Sequence, residues 1–330
     1  MGCDAQPGAL LSSQRLVDGH LPGSRDYAGG HQPEPLRRLA ARSARPAAAH
    51  VNVTSVPEEV QRLAEGFSGV LGVWSHSFTS GETLEWNAGE VFPAASAIKL
   101  PILYEVYRQA GEGRFRLADT RSVQAADVVP GSGVLKDLTP GVALSIRDLA
   151  TLMIVVSDNT AANLLIDLVG IDAVNRSMRA LGLGASVLEH KFFHAPPGAP
   201  PSRSTPADLG SLMMQIAGRA LLTPAACEEM LVILRRQHYT DHITRRIAEY
   251  DGYLEAGVEP VITVASKSGS IRGTRNDVAL VESPNCRYVI AMMSRDCKDR
   301  RFYIDNEAAV LLAEVSALVY QHFSTGRGRG

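Results

Sequence analysis

Apolar and polar residues change their periodicity along the chain, and the changes predict strands near both ends with helices between them. Strand-forming residues dominate 69–78 and 83–88, and the short turn sequence TSGE between them predicts a hairpin. Three further strands are predicted at 261–266, 277–283 and 287–294. Five strands on either side of a helical middle predict an α+β fold, in which a helical segment is inserted into an antiparallel sheet.

Helical periodicity with capping signals fills the middle of the chain. Ser145 and Asp148 form a capping pattern before an apolar stripe that runs through Leu149 and Val155. Further helices are predicted in the same region at 160–170, 172–181, 206–219 and 223–236.

Two more amphipathic helices flank this middle region. Ser55 and Glu58 predict a capped helix whose apolar stripe includes Val60 and Phe67. A final helix places Leu311 on the same face as Val315 and Leu318. These helices lie next to the predicted strands in sequence, so we expect them to cover the sheet.

The predicted elements divide the chain into four parts. Residues 1–54 are rich in Gly, Pro, Ala and Arg without a period, which predicts a disordered extension. Residues 55–90 and 237–324 form the predicted α/β part, and 91–236 form a helical subdomain. The last residues, 325–330, end in GRGRG and are predicted to be a disordered tail.

Composition narrows the possible partners. The formal charge of −2 and the sequence pI near 6.5 provide no general basic field, which argues against nucleic acid as a partner. No run approaches the ~18 apolar residues of a membrane span. The four cysteines show no CxxC spacing, so neither a disulfide scaffold nor a metal cluster is predicted. We expect a monomer that acts on a small molecule.

The first residues carry no readable export signal. MGCDAQPGALLSSQRLVDGHLPGSR lacks the apolar stretch of a secretory signal, and Gln6 breaks the myristoylation pattern. Arg37 and Arg38 are followed by too little apolar sequence for twin-arginine export. We therefore expect a cytoplasmic protein as written, or a periplasmic or secreted one if translation starts elsewhere.

A serine and a lysine three residues apart are the first candidate for chemistry. Ser96 and Lys99 open the predicted helix SAIKLPILYEVYRQA, and this spacing puts both side chains on one face. A serine hydroxyl becomes a good nucleophile when a neighbouring base accepts its proton, and a lysine with a lowered pKa can do so. Alone, this short motif is weak, because short motifs also arise by chance.

Two further motifs strengthen it. Ser157, Asp158 and Asn159 fall where one predicted helix ends and the next begins, and Lys267-Ser268-Gly269 follows a predicted strand. Each has an ordinary structural explanation, as a cap cluster or a strand end. All three motifs in this order arise by chance about once in a thousand such chains.

The combined pattern resembles the class A serine β-lactamases and the related penicillin-binding proteins. The resemblance extends over roughly 55–323, and it includes the longer blocks SDNTAANLL and KSGSIRGTRNDVALV. It implies a helical subdomain packed on a five-stranded antiparallel sheet, with the site between them. It implies no cofactor.

The resemblance also implies roles for individual residues. Ser96 would be the acylated nucleophile and Lys99 its proton partner, while Ser157 would pass a proton to the leaving nitrogen. Asn159 would hold the side-chain amide of the substrate, and Lys267 would keep the site electropositive.

Three further residues would bind the substrate by the same resemblance. The backbone N–H groups of Ser96 and Ser270 would form the oxyanion hole. Ser268 and Arg275 would bind a substrate carboxylate, the latter through its two-pronged guanidinium.

One expected residue is missing. Class A enzymes carry an acid within Glu-x-x-x-Asn in the loop before the helix that begins near Thr205, and it activates the water that hydrolyses the acyl-enzyme. Here the loop reads LEHKFFHAPPGAPPSRSTP and lacks that pattern. Counting back from Thr205 reaches Glu189, whereas counting forward from Ser157 reaches Phe192, and the forward count fits the flanking residues better.

Several functions stay open on this evidence. The first is a β-lactamase that uses Glu189, His190 or His194 as a substitute base. The second is a penicillin-binding or D,D-peptidase-like protein with slow turnover, the third an esterase-type acyl hydrolase of biosynthesis, and the fourth a non-catalytic β-lactam sensor. The histidine pairs His190/His194 and His238/His242 lack the Glu of HExxH, so no metal site is predicted.

Overall fold

The fold is described from a computed structural model, which covers residues 55–252, 258 and 260–326. Its main feature is a five-stranded antiparallel sheet with the strand order β2-β1-β9-β8-β7. Two short two-stranded sheets pair β3 with β6 and β4 with β5. The strands are β1 (Val70–Ser77), β2 (Thr83–Trp86), β3 (Phe92–Pro93), β4 (Thr120–Ser122), β5 (Ala143–Ser145), β6 (Arg203–Ser204), β7 (Thr263–Ile271), β8 (Thr274–Glu282) and β9 (Arg287–Arg295).

Helices precede the sheet, follow it and fill the segment between β2 and β7. They are α1 (Val56–Gly66), α2 (Lys99–Gly111), α3 (Ile146–Val155), α4 (Asn159–Val169), α5 (Ile171–Ala180), α6 (Pro206–Ala217), α7 (Pro224–Arg235), α8 (Asp241–Thr244) and α9 (Glu307–Ser324). The predicted capping boxes at Ser55 and Ser145 are present. Each stabilises its helix because it satisfies backbone N–H groups that have no partner within the first turn.

The sheet is buried on both faces, and its side chains alternate between two apolar cores. Along β9, Val289, Ala291 and Met293 pack into the core shared with α2 to α7. The residues that alternate with them, Tyr288, Ile290 and Met292, pack into a second core with α1 and α9. Burial on both faces explains why these strands read as apolar runs rather than as an alternating pattern.

The predicted α+β fold with its five-stranded antiparallel sheet is confirmed, whereas two element boundaries next to the motif residues differ from the prediction. The predicted strand at 261–266 continues to Ile271, so Lys267, Ser268 and Gly269 lie within β7 rather than after it. Ser96 lies in a 3-10 turn, Ala95–Ile98, and the α-helix begins only at Lys99. Both differences lie in the segments that carry the motif residues.

Other predictions concern residues that the structure does not describe. The predicted disorder of 1–54 and the absence of an export signal there lie outside the described residues, as does most of the predicted tail. The division into an α/β part and a helical subdomain at 91–236 stays a prediction. Among the described helices, none is long and apolar enough to cross a bilayer.

Candidate active site

Ser96 is placed by a backbone segment that runs alongside β7. The preceding residue, Ala95, has a φ of 47°, which is uncommon for a residue other than glycine and marks a tight turn. Asn276 on β8 is buried, and its side-chain amide donates hydrogen bonds to the backbone oxygens of Pro93 (2.8 Å) and Ala94 (3.0 Å). This asparagine therefore anchors the segment that carries Ser96 to the central sheet.

Gly269 allows β7 to approach the serine closely. A Cβ atom at this position would lie 2.7 Å from the backbone nitrogen of Ala97 and 2.9 Å from that of Ser96. Real Cβ atoms do not approach backbone atoms so closely, so only glycine fits without displacement of one segment. Ser270, the next residue on β7, lines both cavities beside Ser96.

Four oxygen atoms surround the amine of Lys99. Its Nζ lies 3.3 Å from Ser96 Oγ and 3.1 Å from Ser157 Oγ. The backbone oxygen of Ser157 (2.7 Å) and Asn159 Oδ1 (2.8 Å) complete the set. Ser157 has a φ of 54°, the strained left-handed backbone that often occurs at functional sites. Two of the predicted motifs thus meet at one buried amine.

The surroundings of Lys99 favour its neutral form. Burial holds the pKa of Lys99 well below its usual range, the neighbouring Lys267 cation lowers it further, and Asp158 acts in the opposite direction. A neutral amine has a lone pair that can accept the hydroxyl proton of Ser96 or Ser157. The geometry is that of a general base beside a nucleophile.

Asp158 joins α4 to the loop that faces the serine. Its carboxylate caps α4 through the N–H of Ala161 (2.9 Å) and accepts from the N–H groups of Val134 (2.7 Å) and Leu135 (2.9 Å). The next residue, Asn159, donates from Nδ2 to the backbone oxygen of Pro130 (3.1 Å). The Ser-Asp-Asn motif therefore positions both the lysine and the wall of the site.

Lys267 lies within β7 and is buried. Its Nζ donates to the backbone oxygen of Ser268 at 2.7 Å. Burial lowers the pKa of Lys267 to about 7, and Asp277 on β8 opposes this shift. The residue consequently changes charge near neutral pH.

A cavity of about 370 Å³ lies on one side of Ser96 and holds the predicted carboxylate ligands. It is lined by Ser268, Ser270 and Arg275, together with His242 from α8. Arg275 donates three of its five N–H groups to backbone oxygens, those of Ile271, Thr274 and Arg301, which leaves at most two for a substrate. Burial and Arg275 lower the pKa of His242 to about 4, so this histidine is neutral at pH 7.

The loop that lacks the expected acid presents a phenylalanine to Lys99. The ring centroid of Phe192 lies 4.3 Å from Lys99 Nζ. Asn163 on α4 holds this residue by donating to its backbone oxygen (3.0 Å) and accepting from its N–H (2.8 Å). The forward count along the sequence, which reached Phe192, therefore agrees with the position of this residue beside Lys99.

Glu189 is oriented differently. Its carboxylate forms an ion pair with Arg203 on β6, and neither cavity lined by Ser96 includes it. His190 does line the second cavity beside Ser96, whereas His194 lines neither. The role of Glu189 as a base stays a prediction, and its ion pair disfavours that role.

Sequence reasoning missed two positioning residues. Asn163 lies within SDNTAANLL, four residues after Asn159 and therefore on the same helix face, and Asn276 begins the NDVALV block of β8. In both cases the available signal was an asparagine next to an apolar run, because an amide that is buried there needs hydrogen-bond partners. In the described part of the chain, no group of three or more metal-ligating side chains occurs.

The chain matches the model of the β-lactamase enzyme family over residues 55–323. It is 28% identical over 264 residues to a β-lactamase of Rhodobacter capsulatus, with 79% of this chain and 86% of that protein covered. The crystal structure of a β-lactamase from Sphaerobacter thermophilus superposes with a TM-score of 0.73 and 31% identity, covering 82% of this chain and 97% of that one.

A penicillin-binding protein is similar to the same degree. A mutant of PBP-A, solved as an acyl-enzyme complex with penicillin G, superposes with a TM-score of 0.71 and 30% identity. That comparison covers 82% of this chain and 96% of the other. The similarity therefore includes β-lactamases and PBP-A on one fold.

Proposed function

Because this chain belongs to the β-lactamase enzyme family, we propose that it opens β-lactam amides through an acyl-enzyme on Ser96 and releases the acyl group slowly. The observation that carries the proposal is the position of Lys99 Nζ, within hydrogen-bonding distance of Ser96 Oγ and Ser157 Oγ. One buried amine thus connects the nucleophile to the residue that faces the leaving group.

Acylation follows from these positions. Neutral Lys99 takes the proton of Ser96 as Oγ attacks the β-lactam carbonyl carbon. The negative oxygen of the tetrahedral intermediate accepts hydrogen bonds from the N–H groups of Ser96 and Ser270. Collapse breaks the C–N bond, and Ser157 gives its proton to the leaving nitrogen while Lys99 returns a proton to Ser157. The proton balance closes, and the serine ester remains.

Binding of the substrate divides between the two sides of the serine. Ser268 and Arg275 line the first cavity and provide donors for the carboxylate of a β-lactam, which is an anion at neutral pH. Lys267, buried beneath them in β7, adds positive charge. Asn159 keeps its amide close to the cleft, where it can hold the side-chain amide of the substrate. These roles suit an anionic acyl donor.

We infer slow release of the acyl group from the side chain of Phe192. Hydrolysis of the serine ester needs a water molecule and a base, and general bases contribute about 10²- to 10⁴-fold to such steps. Phe192, which Asn163 holds beside Lys99, carries a phenyl ring at this position. A phenyl ring cannot accept a proton from water and so cannot act as a general base. The ring also covers the amine with apolar surface, which excludes water from that side.

Intact-protein mass spectrometry after mixing with benzylpenicillin tests the proposal. We expect a single adduct that forms quickly, persists over many minutes and is absent in Ser96→Ala. Thr160→Ser on α4 is a conservative control outside the proton path. An adduct on another residue, or none with wild-type protein, would overturn the assignment of Ser96, and rapid turnover without an adduct would overturn slow release.

The phenyl ring of Phe192 beside Lys99 also favours a second function. If the adduct persists for hours, the protein acts as a penicillin-binding protein rather than as a hydrolase. The similarity to a mutant of PBP-A that was solved as an acyl-enzyme complex with penicillin G is consistent with that outcome. The lifetime of the adduct decides between the two functions.

A further inference from the structure

A buried carboxyl group and a buried ring nitrogen lie close together at the edge of the first cavity beside Ser96. Asp277 on β8 is fully buried, the side chain of His242 on α8 is 12% exposed, and Asp277 Oδ2 lies 3.7 Å from His242 Nδ1. Among the residues that the structure describes, both carboxyl oxygens of Asp277 and the Nδ1 atom of His242 lack a hydrogen-bond partner. Buried polar groups without partners cost free energy and are rare, so this pair requires a physical explanation.

The pair lies next to the residues that we expect to bind the substrate carboxylate. Across the ladder between β7 and β8, Asp277 is opposite Ser268, and Arg275 precedes it by two residues and so lies on the same face of the sheet. His242 reaches this face from α8, and its ring lines the first cavity together with Ser268 and Arg275. The protonation of the pair therefore affects the place where an anion would bind.

The surroundings of Asp277 favour its protonated form. Burial raises the pKa of the Asp277 carboxyl group well above its usual range, the charge of Lys267 acts in the opposite direction, and Asp241 raises the pKa further. An apolar site can keep a carboxylic acid protonated at neutral pH, so that it donates a hydrogen bond instead of only accepting them. Asp277 in this form has one O–H group to donate.

The surroundings of His242 favour the matching acceptor. Burial and the charge of Arg275 lower the pKa of His242 to about 4, and the charges of Arg245 and Lys267 act in the same direction. A neutral imidazole carries its proton on one ring nitrogen and accepts a hydrogen bond at the other. If Nδ1 accepts from Asp277, the ring proton of His242 lies on Nε2.

We propose that Asp277 and His242 form a buried acid–imidazole pair in which the carboxyl O–H donates to Nδ1, and that the pair fixes the Nε2–H group of His242 as a donor to the carboxylate of the acyl donor. Asp277 is thus a positioning residue, because it acts on the substrate only through His242. A small rotation of either side chain shortens the 3.7 Å distance to that of a hydrogen bond. The effect on the substrate rests on the proposed function, whereas the pair itself does not.

Ionisation of Asp277 would reverse the hydrogen bond. When its proton leaves to solvent, the carboxylate attracts the ring proton of His242 to Nδ1, and Nε2 is left with a lone pair. That lone pair repels a substrate carboxylate instead of binding it. The protonated pair consequently presents a donor, and no negative charge, beside Arg275.

Spectroscopy of the unreacted protein tests the pair itself. In nitrogen NMR of histidine-labelled protein at pH 7, the resonances that disappear in His242→Gln should report a bare Nδ1 and a protonated Nε2. The infrared difference between the wild type and Asp277→Asn should contain the carbonyl band of a protonated carboxylic acid. A protonated Nδ1 at pH 7, or carboxylate bands alone, would overturn the pair.

Acylation rates test what the pair does to the substrate. The second-order rate of adduct formation on Ser96 is measured with benzylpenicillin and with its methyl ester, which lacks the anionic carboxylate. His242→Phe keeps a ring of similar shape but loses the donor, so it should slow benzylpenicillin by about tenfold or more and the ester by much less. His242→Gln has an amide that can both accept and donate, and it should stay within about threefold of the wild type.

Two further variants complete the comparison. Asp277→Asn replaces the neutral acid by a neutral amide that still donates to Nδ1, so the NMR signature of His242 and the rates at pH 7 should be retained. His238→Phe is the matched control, because His238 is exposed and lines neither cavity beside Ser96, so both rates should stay unchanged. Thermal melting shows whether each variant folds, and the spectra of the wild type decide on the pair even if one does not.

The outcomes separate this proposal from the proposed function. Equal losses with the acid and the ester in His242→Phe would show that His242 only supports the fold and would overturn its role as a donor. No adduct with the wild-type protein would overturn the proposed function, while the NMR and infrared spectra would still show whether Asp277 and His242 share a proton.

Discussion

The side-chain amide of Asn163 binds both backbone groups of Phe192, and the ring of Phe192 lies over the amine of Lys99. These contacts determine which residue of a proline-rich loop faces Lys99. They place a side chain without acid or base function beside the amine that we propose as the general base of acylation.

Phe192→Glu should convert slow release into faster turnover. A carboxylate at this backbone position would lie near Lys99 and the serine ester, where it can activate water, and we expect deacylation to accelerate by about 10²-fold or more. The decay of the Ser96 adduct, followed by mass spectrometry after excess benzylpenicillin is removed, measures the effect.

Ala195→Glu is the matched control for this substitution. It adds the same acid to an exposed residue of the same loop that lines neither cavity beside Ser96, so the lifetime of the adduct should change little. If the two variants release the acyl group at the same rate, the position beside Lys99 has no special role in deacylation.

Glu189→Gln should leave the lifetime of the adduct unchanged. The carboxylate of Glu189 is paired with Arg203 and lines neither cavity beside Ser96. Single-turnover decay of the adduct in the variant and in the wild type checks this expectation. A markedly longer lifetime in Glu189→Gln would identify Glu189 as the base after all.

Gly269→Ala should abolish or strongly reduce acylation. The added Cβ would meet the backbone nitrogens of Ala97 and Ser96 and would push β7 away from the serine. Overpacking of this kind costs about 1–3 kcal/mol of stability, and the loss of one oxyanion-hole donor lowers the rate about 10²- to 10³-fold. Mass spectrometry and thermal melting measure the two effects separately.

Gly184→Ala serves as the control for that substitution. A Cβ at this position meets no atom within 4 Å, so stability and acylation should both stay near wild type. Normal acylation by Gly269→Ala would show that the two segments can separate without loss of function.

The rate of acylation by an anionic penicillin should fall as the pH rises through about 7. Burial lowers the pKa of Lys267 to about 7, so this residue is a cation below that pH and is neutral above it. Loss of the cation removes an attraction for the substrate carboxylate, and we expect a reduction of about tenfold. The pH profile of the second-order acylation rate should show this decrease as a falling limb.

Lys267→Arg separates the charge of this residue from other titrations. An arginine stays protonated throughout the neutral range, so the falling limb should move to higher pH. Deprotonation of Lys99, whose pKa burial lowers, would add a rising limb to the same profile, and that limb should keep its position because a cation still faces this lysine. If the falling limb stays in place, another group causes it.

Much of the fold was predictable because it depends on local pattern. The hairpin of β1 and β2, the capping boxes at Ser55 and Ser145 and the apolar runs of β8 and β9 were all read from neighbouring residues. The end of β7 was not, since Lys267, Ser268 and Gly269 lack the apolar pattern of a strand. Pairing with β8 extends the strand through them.

The candidate site divides in the same way. Ser96 and Lys99 are near neighbours in sequence, and their proximity follows from their spacing. Asn276 lies more than 180 residues from the backbone oxygens that it binds, and Gly269 similarly meets distant backbone. No local pattern predicts such contacts, because chain reversal through the helical segment brings them together.

By itself, the sequence determined the order and spacing of a serine, a lysine, a Ser-Asp-Asn cluster and a second lysine, and its resemblance to the class A enzymes predicted that they form one site whose loop lacks the family's acid. The tertiary structure decided which loop residue faces Lys99. Counting back from Thr205 reached Glu189, whereas counting forward from Ser157 reached Phe192. Spacing along the sequence does not determine which residue of this proline-rich loop lies beside the lysine. The Asn163 amide, 29 residues from Phe192 in the chain, resolves the register through hydrogen bonds to its backbone.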